Sequence, residues 1–330
     1  MNDKLSIIIP CYNCQDTLEE AVVSACQQGL TIPFELILVD DASTDKTQEV
    51  IEKLARKYPN LGHYQHEKNL GGGATRNTAV QKSTGNIIFC LDSDDLLPKG
   101  ALGKMVKFLK EKECDGVTIH RSIKFSGKNI ENIHHIETSP YLNKKIPFES
   151  LLSKNKGFLP LCVNFMYTKE AFAKTGGYPT LHGFDTQGFA WRFLCAGLSA
   201  YTCPEVEYLH RVNFNESYYL REYNDGKMNY NWRDIFVEHY YVFNKKALDF
   251  ICTFNCRDFT RNILSELIEI GDILIPNPEK TFGRTHPPLQ IKFPSPIYVP
   301  RDSLLGYYLR IKHRFKKIFT KNLNLTNSSI

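Results

Sequence analysis

Apolar residues come in short runs with polar breaks, and their spacing alternates between strand and helix along the first third of the chain. Leu5 to Pro10 is a short apolar strand, and Thr17-Leu18-Glu19-Glu20 then offers a capping box before Leu18, Ala21, Val22 and Ala25 recur at helical spacing. Phe34 to Val39 predicts a second strand, followed by a helix carrying Val50, Ile51 and Leu54. Leu61 to Gln65 predicts a third strand and Ala74 to Lys82 a third helix. Ile87-Ile88-Phe89-Cys90-Leu91 is a continuous apolar run of the kind buried on both faces, a fourth strand. The βαβαβαβ order predicts a doubly wound, mostly parallel α/β sheet with right-handed crossovers.

In such a sheet the loops at the carboxyl ends of the strands share one edge. Here they are Pro10-Cys11-Tyr12-Asn13, Asp40-Asp41-Ala42-Ser43-Thr44-Asp45 and Asp92-Ser93-Asp94-Asp95, so two acidic clusters face one crevice. Carboxylates at a strand exit suit Mg²⁺ or Mn²⁺ on a diphosphate, and others can accept hydrogen bonds from a nucleobase or ribose. A solvated acidic turn with Asp95 capping the next helix is the alternative, and Ser43 and Asp45 fit turn and cap positions better than ligand contact. Asn69 to Asn77 carries Gly71-Gly72-Gly73 but has Arg76 where a dinucleotide fingerprint needs its last glycine, and it follows the third strand rather than the first. Redox dinucleotide chemistry therefore loses ground. A glycine turn opening a helix still offers amides to an anion, with Arg76 one turn in, or is simply a tight turn with a solvated arginine.

Four motifs in order carry a resemblance: Ser6-Ile7-Ile8-Ile9-Pro10-Cys11-Tyr12-Asn13, Val39-Asp40-Asp41-Ala42-Ser43-Thr44-Asp45, Asn69-Leu70-Gly71 with Ala74-Thr75-Arg76-Asn77, and Leu91-Asp92-Ser93-Asp94-Asp95. Together they resemble the family 2 glycosyltransferases of the GT-A fold, closely over residues 4 to 120 and more loosely over 160 to 217. The resemblance implies a nucleotide-sugar donor, a divalent cation (Mn²⁺ or Mg²⁺) and inversion at the anomeric carbon. It implies that Pro10 and Tyr12 line the base, that Asp41 accepts from a uracil imide, and that Arg76 lies near the nucleotide. Asp92 and Ser93 would meet the ribose side, with Asp92 and Asp94 toward the metal. Further on, Cys162 to Tyr167, a helix from Lys169 and Gly176-Gly177-Tyr178-Pro179 resemble the family's approach to its catalytic base. Where the family has Glu-Asp before an apolar pair and arginine, alignment on Phe189-Ala190-Trp191-Arg192 places Asp185 on the Glu and Thr186 on the base. Threonine is no general base near neutral pH, so a one-residue shift makes Asp185 the candidate, with a helix N-cap as its alternative. His210 sits where many GT-A enzymes bring a late histidine to the metal; a structural histidine is the alternative, and Asn213 competes in alignment.

Composition narrows the rest. The domains expected are a catalytic 1–217, with a nucleotide-sugar half 1–120 and an acceptor half 121–217, then a helical, aromatic-rich extension and proline-rich strap 218–300 and a basic helix 301–330. That last segment is amphipathic, with Leu304, Tyr308, Ile311, Phe315 and Ile318 on one face and Arg310, Arg314, Lys317 and Lys321 beside it. It holds net charge +6 of the chain's +5, so the other 300 residues sum to −1, which speaks against nucleic acid as a partner of the main domain. Adsorption to an anionic membrane surface, or docking on the catalytic domain or on a second copy as a homodimer, are the expectations for it. The ten cysteines are scattered and read as free thiols, and neither a signal peptide nor a membrane span is evident, which points to a cytoplasmic enzyme, peripheral at most on the cell membrane. Expected partners are a nucleotide-sugar donor and a saccharide or lipid-linked acceptor, in bacterial surface polysaccharide synthesis. A nucleotide- or carbohydrate-binding protein without transfer, a nucleotidyltransferase and, last, a Rossmann oxidoreductase are the rivals.

Overall fold

The computed structural model describes residues 3–127, 130, 132–147, 150, 161, 164–180 and 185–212. The expectations for 218–300 and 301–330, and for Cys162 and Asn213, fall outside them.

The predicted alternation is present. Strand β1 (Leu5–Cys11) leads to α1 (Leu18–Cys26), β2 (Phe34–Asp40) to α2 (Thr47–Lys57), β3 (Leu61–Gln65) to α3 (Gly72–Lys82) and β4 (Ile87–Cys90) to α4 (Ala101–Lys112). Strands β5 (Gly116–Thr118), β6 (Arg121–Ser126), β7 (Asn132–Thr138) and β8 (Met166–Thr168) follow, then α5 (Lys169–Thr175), α6 (Asp185–Cys195), β9 (Ala200–Thr202) and β10 (Glu207–Arg211). Seven strands form one sheet in the order β3-β2-β1-β4-β8-β5-β9. It is parallel from β3 to β4 and mixed beyond, because β8 runs antiparallel to both β4 and β5. A second sheet, β10-β6-β7, stands apart.

Strand alternation explains the layering. Leu5, Ile7 and Ile9 of β1 and Leu36 and Leu38 of β2 bury into one core with Leu18 and Val22, Ile51 and Leu54, and Leu102 and Met105 of the three helices α1, α2 and α4. Ile8, Ile37 and Val39 face the other way, where α3 packs on β1 and β2. The capping box expected at Thr17 is not made: its side chain accepts no cap bond, and the chain enters α1 through a turn in which the Thr17 and Leu18 amides both donate to the Cys14 carbonyl, at 3.1 and 3.0 Å.

At the amino edge of the strands one carboxylate ties the sheet together. Glu35 accepts from Lys4 Nζ at 2.7 Å, Ser6 Oγ at 2.6 Å, and the Thr84 amide and hydroxyl at 2.6 and 2.9 Å. Burial raises its pKa, but these bonds more than reverse that and take it from 4.5 to about 2. A depressed folded pKa means stability that is present above pH 4.5 and lost as pH falls toward 2. Glu35→Gln, at a side chain only 13% exposed, therefore costs about 2 kcal/mol at neutral pH. Chemical denaturation of both proteins from pH 7 to 3 should show the wild-type advantage shrinking as acid is added. A constant difference across that range would mean the charge contributes nothing.

Among the described residues no helix is long and apolar enough to cross a membrane, and Cys11, Cys14, Cys26, Cys90, Cys114, Cys195 and Cys203 are free thiols.

Candidate active site

Three strand exits meet at the carboxyl edge of the parallel strands, as the motif positions predicted. They are laced together by the backbone: the Asp41 amide donates to the Cys11 carbonyl at 2.8 Å and Leu91 to Ile8 at 2.9 Å. Asn13, in the left-handed region at φ 47°, donates its amide to Ser43 Oγ and accepts from the Thr44 amide. Ser43 also donates to Asp40, and Asp45 accepts from the amides of Thr47 and Gln15, so Ser43 and Asp45 do act as turn residues.

Asp41 is turned inward, 2% exposed. Its Oδ1 meets His66 Nδ1 at 2.7 Å and accepts from the Leu70 amide at 2.9 Å, while Oδ2 accepts from the Gly71 amide at 2.8 Å. The glycine turn does present amides to an anion, and in this structure that anion is the chain's own Asp41. Gly71 takes φ 87°, which favours glycine. Pro10 is half-buried at the end of β1, and Tyr12 is 50% exposed beside it. An exposed aromatic at that edge has a face available for stacking.

Arg76, one turn into α3, crosses the crevice. Its Nη2 reaches Asp92 Oδ1 at 2.5 Å and its Nη1 bonds Asp185 Oδ2 at the start of α6. Burial disfavours the guanidinium, yet Asp185 and Asp92 hold its pKa well above the ordinary value. The solvated arginine of the alternative is thereby excluded. Asp185 Oδ1 also accepts from the Thr186 amide at 2.8 Å. Behind Asp185 an aromatic floor carries α6: Tyr178 stacks on Phe189 with centroids 4.2 Å apart, and the Tyr178 and Tyr167 hydroxyls bond at 3.0 Å.

The aspartate loop is pinned from the second sheet. Asp95 is fully buried, which excludes the alternative of a solvated cap; it accepts from the Arg211 amide at 2.7 Å and meets His210 Nδ1 at 3.1 Å. Leu96 and Leu209 exchange backbone bonds, and Arg211 donates from Nε to the Asp94 carbonyl at 2.8 Å and from Nη2 to Glu20 at 2.7 Å. Asp95 raises the His210 pKa to about 9 against the opposing effect of burial. Asp94 is exposed at the mouth, but the surrounding protein withholds water and Asp95 and Asp92 repel its charge, which lifts its pKa to about 7. Ser93 lies beside Cys14, whose thiol pKa the Cys11 side chain, with Ser93 and Thr47, lowers against burial. Tyr208, whose hydroxyl accepts from the Asp92 amide at 3.5 Å, and Arg211 are supporting residues that sequence reasoning passed over, and Asp95 was read only as a possible cap; the one sign of their role was a third aspartate in a loop needing two.

The donor set tests the implied cation. Among the described residues no three His, Cys, Asp or Glu side chains form a ready cage. Asp94, with Asp92 beside it, is a partial shell of hard oxygens, and Mg²⁺ commonly binds through one or two carboxylates, waters and substrate phosphates. Those residues fit an ion that arrives with a diphosphate.

A family model described as Glycosyl transferase family 2 matches residues 6–176, just over half of the chain and all four motifs. The chain belongs to that family. Among its relatives, a poly(ribitol-phosphate) beta-glucosyltransferase of Bacillus spizizenii is 32% identical over 191 residues, 52% of this chain and 30% of that enzyme. The poly(ribitol-phosphate) beta-N-acetylglucosaminyltransferase TarS of Staphylococcus aureus is 34% identical over 148 residues, 43% of this chain and 26% of TarS. The chain therefore spans less than a third of either enzyme. In structure it is similar to residues 1–349 of S. aureus TarS solved with UDP-GlcNAc, at TM-score 0.53 and 22% identity over 66% of this chain and 60% of that one. It is also similar to GalNAc-T7 solved with UDP, GalNAc and Mn²⁺, at TM-score 0.53 and 14% identity over 67% and 47%. These likenesses establish a GT-A-like fold for the family 2 domain.

Proposed function

We propose that this family 2 protein is an inverting, metal-dependent glycosyltransferase that moves a hexosyl or N-acetylhexosaminyl group from a UDP-sugar to a hydroxyl of a cell-surface polymer or its lipid-linked precursor. The observation that carries the proposal is the single guanidinium joining Asp92, from the nucleotide half, to Asp185, from the acceptor half. Donor and acceptor chemistry thus share one crevice. The poly(ribitol-phosphate) relatives support a polymer acceptor, and UDP in the TarS structures supports the nucleotide. The basic pattern of residues 301–330 supports work near an anionic surface.

Within the site, Tyr12 and Pro10 would line the uracil face. Asp41, by fixing the glycine turn, sets the crevice wall; its Oδ1 is filled by His66 and the Leu70 amide, while Oδ2, which accepts only from the Gly71 amide, would accept the imide N–H as a second bond. Asp94 and Asp92 would hold Mn²⁺ or Mg²⁺, with His210 oriented by Asp95 toward the same loop. The bound ion supplies charge stabilisation to the departing diphosphate. Asp185 takes the proton of the acceptor hydroxyl as it attacks from the face opposite the leaving group, which requires the two halves to be held in line.

Binding across UDP-, GDP- and dTDP-sugars with Mn²⁺, Mg²⁺ or EDTA tests this. One UDP-sugar should bind with metal present, and Asp94→Ala should weaken that binding at least about tenfold while leaving its small metal-free component alone. Failure of every nucleotide-sugar to bind with metal would remove the proposal; equal binding in EDTA would remove the metal from it.

A further inference from the structure

Arg76 stands between two carboxylates with opposite tasks, one at the donor and one at the acceptor, an assignment that rests on the function proposed above. Its side chain is 10% exposed, Nη2 is spent on Asp92 and Nη1 on Asp185, and the Tyr178 ring lies 6.0 Å from the guanidinium. Gly72 measures how tightly this is packed: a Cβ there would stand 2.5 Å from Asp185 Oδ2 and 2.7 Å from Arg76 Nη1. The absence of a side chain at 72 is what lets the pair close.

A guanidinium is the side chain best suited to a phosphate, through the same paired donors that bind a carboxylate. An incoming diphosphate therefore competes with Asp185 for Nη1. In the donor-free protein Asp185 Oδ2 is held by Arg76 and Oδ1 accepts from the Thr186 amide, so both oxygens are already engaged and the acceptor hydroxyl meets a carboxylate turned toward the guanidinium. We propose that Arg76 is shared in time: Asp185 holds it in the donor-free protein and yields it to the donor's diphosphate, so that the base is unmasked only when the donor is seated. Arg76 is thereby the positioning residue that couples the donor side to Asp185.

The coupling can be measured without an acceptor. Isothermal calorimetry with UDP and Mg²⁺ compares wild type, Asp185→Asn, Arg76→Gln and the double variant, with Asp185→Ala as a second version lacking an amide that could bond Arg76. Removing the competitor should tighten UDP about fivefold in the wild-type background and by less than twofold in the Arg76→Gln background. Thermal melts confirm that each variant is folded. Equal tightening in both backgrounds would show a general loss of negative charge, and no tightening would make Arg76 a fixed pin between α3 and α6; either result overturns the coupling. UDP binding by wild type with no tightening leaves the transferase proposal standing, whereas no UDP binding at all removes both.

Discussion

If Asp185 is the base of the proposed transfer, Asp185→Asn should lower the rate by about 10²- to 10⁴-fold, the range a positioned general base contributes, while the protein stays folded and still binds UDP. The fold is safe because the second role of this side chain survives the change. Asp185 Oδ1 accepts from the Thr186 amide at the start of α6, and the asparagine carbonyl can accept the same bond. Asparagine cannot take a proton from the acceptor. The loss should fall on kcat, with the donor KM unchanged or lowered. Initial rates of UDP release from the UDP-sugar, with a polyol-phosphate polymer as acceptor, give the numbers. A variant that turns over normally would move the base to another residue and leave Asp185 as the cap of α6.

The first half of the fold was legible because its physics is local. Strands β1, β2 and β4 read as apolar runs buried in the sheet, and α1 and α2 each carry one apolar stripe. What lay beyond was set by long-range contact. Strand β5 is three residues, Gly116–Thr118, and pairs with β8 some fifty positions later, a partnership no local pattern announces. The same distinction divides the site. Asp92, Asp94 and Arg76 were visible as motif residues. That Asp41 would serve the glycine turn, and that Asp95 would be sealed under β10, depended on partners 29 and 116 residues away. The acidic cluster suggested one shared electrostatic task; the structure divides it among an internal anchor, Asp41, a buried pin, Asp95, a partner of Arg76, Asp92, and an exposed Asp94.

Gly73→Ala should be the most damaging single methyl in the domain. A Cβ at 73 would lie 1.7 Å from the Pro179 carbonyl oxygen and 2.8 Å from its carbon, and both are backbone atoms that no rotamer change can move. α3 must then separate from the turn that precedes α6, which breaks the Asn77 bonds to Tyr178, at 2.9 and 2.8 Å, and carries Arg76 away from Asp185. Overpacking of this kind costs roughly 3 kcal/mol, or about 10 °C in Tm, and activity should fall with it. Gly103 is the internal control. It sits in the first turn of α4 with nothing within 4 Å of its would-be Cβ, so Gly103→Ala should raise stability by up to about 0.5 kcal/mol through helix propensity alone. Scanning calorimetry of the two variants reads both signs in one experiment. A Gly73→Ala protein that melts with wild type would show that α3 and the Pro179 turn are free to part.

The seal on Asp95 joins the small sheet to the aspartate loop as one cooperative unit. The Leu96 and Leu209 amides bond each other's carbonyls at 3.0 and 3.1 Å, and the Arg211 amide ends on the Asp95 carboxylate. Fraying β10 therefore strips a fully buried aspartate of its donors at the same moment, so neither piece opens alone at low cost. Amide hydrogen exchange at Leu96, Leu209 and Arg211 would then report a single opening event. The lifetime of the loop that carries Asp92 and Asp94 is set by a strand more than a hundred residues downstream, so sequence drift in the small sheet is felt at the donor end as a change in how long the loop stays closed.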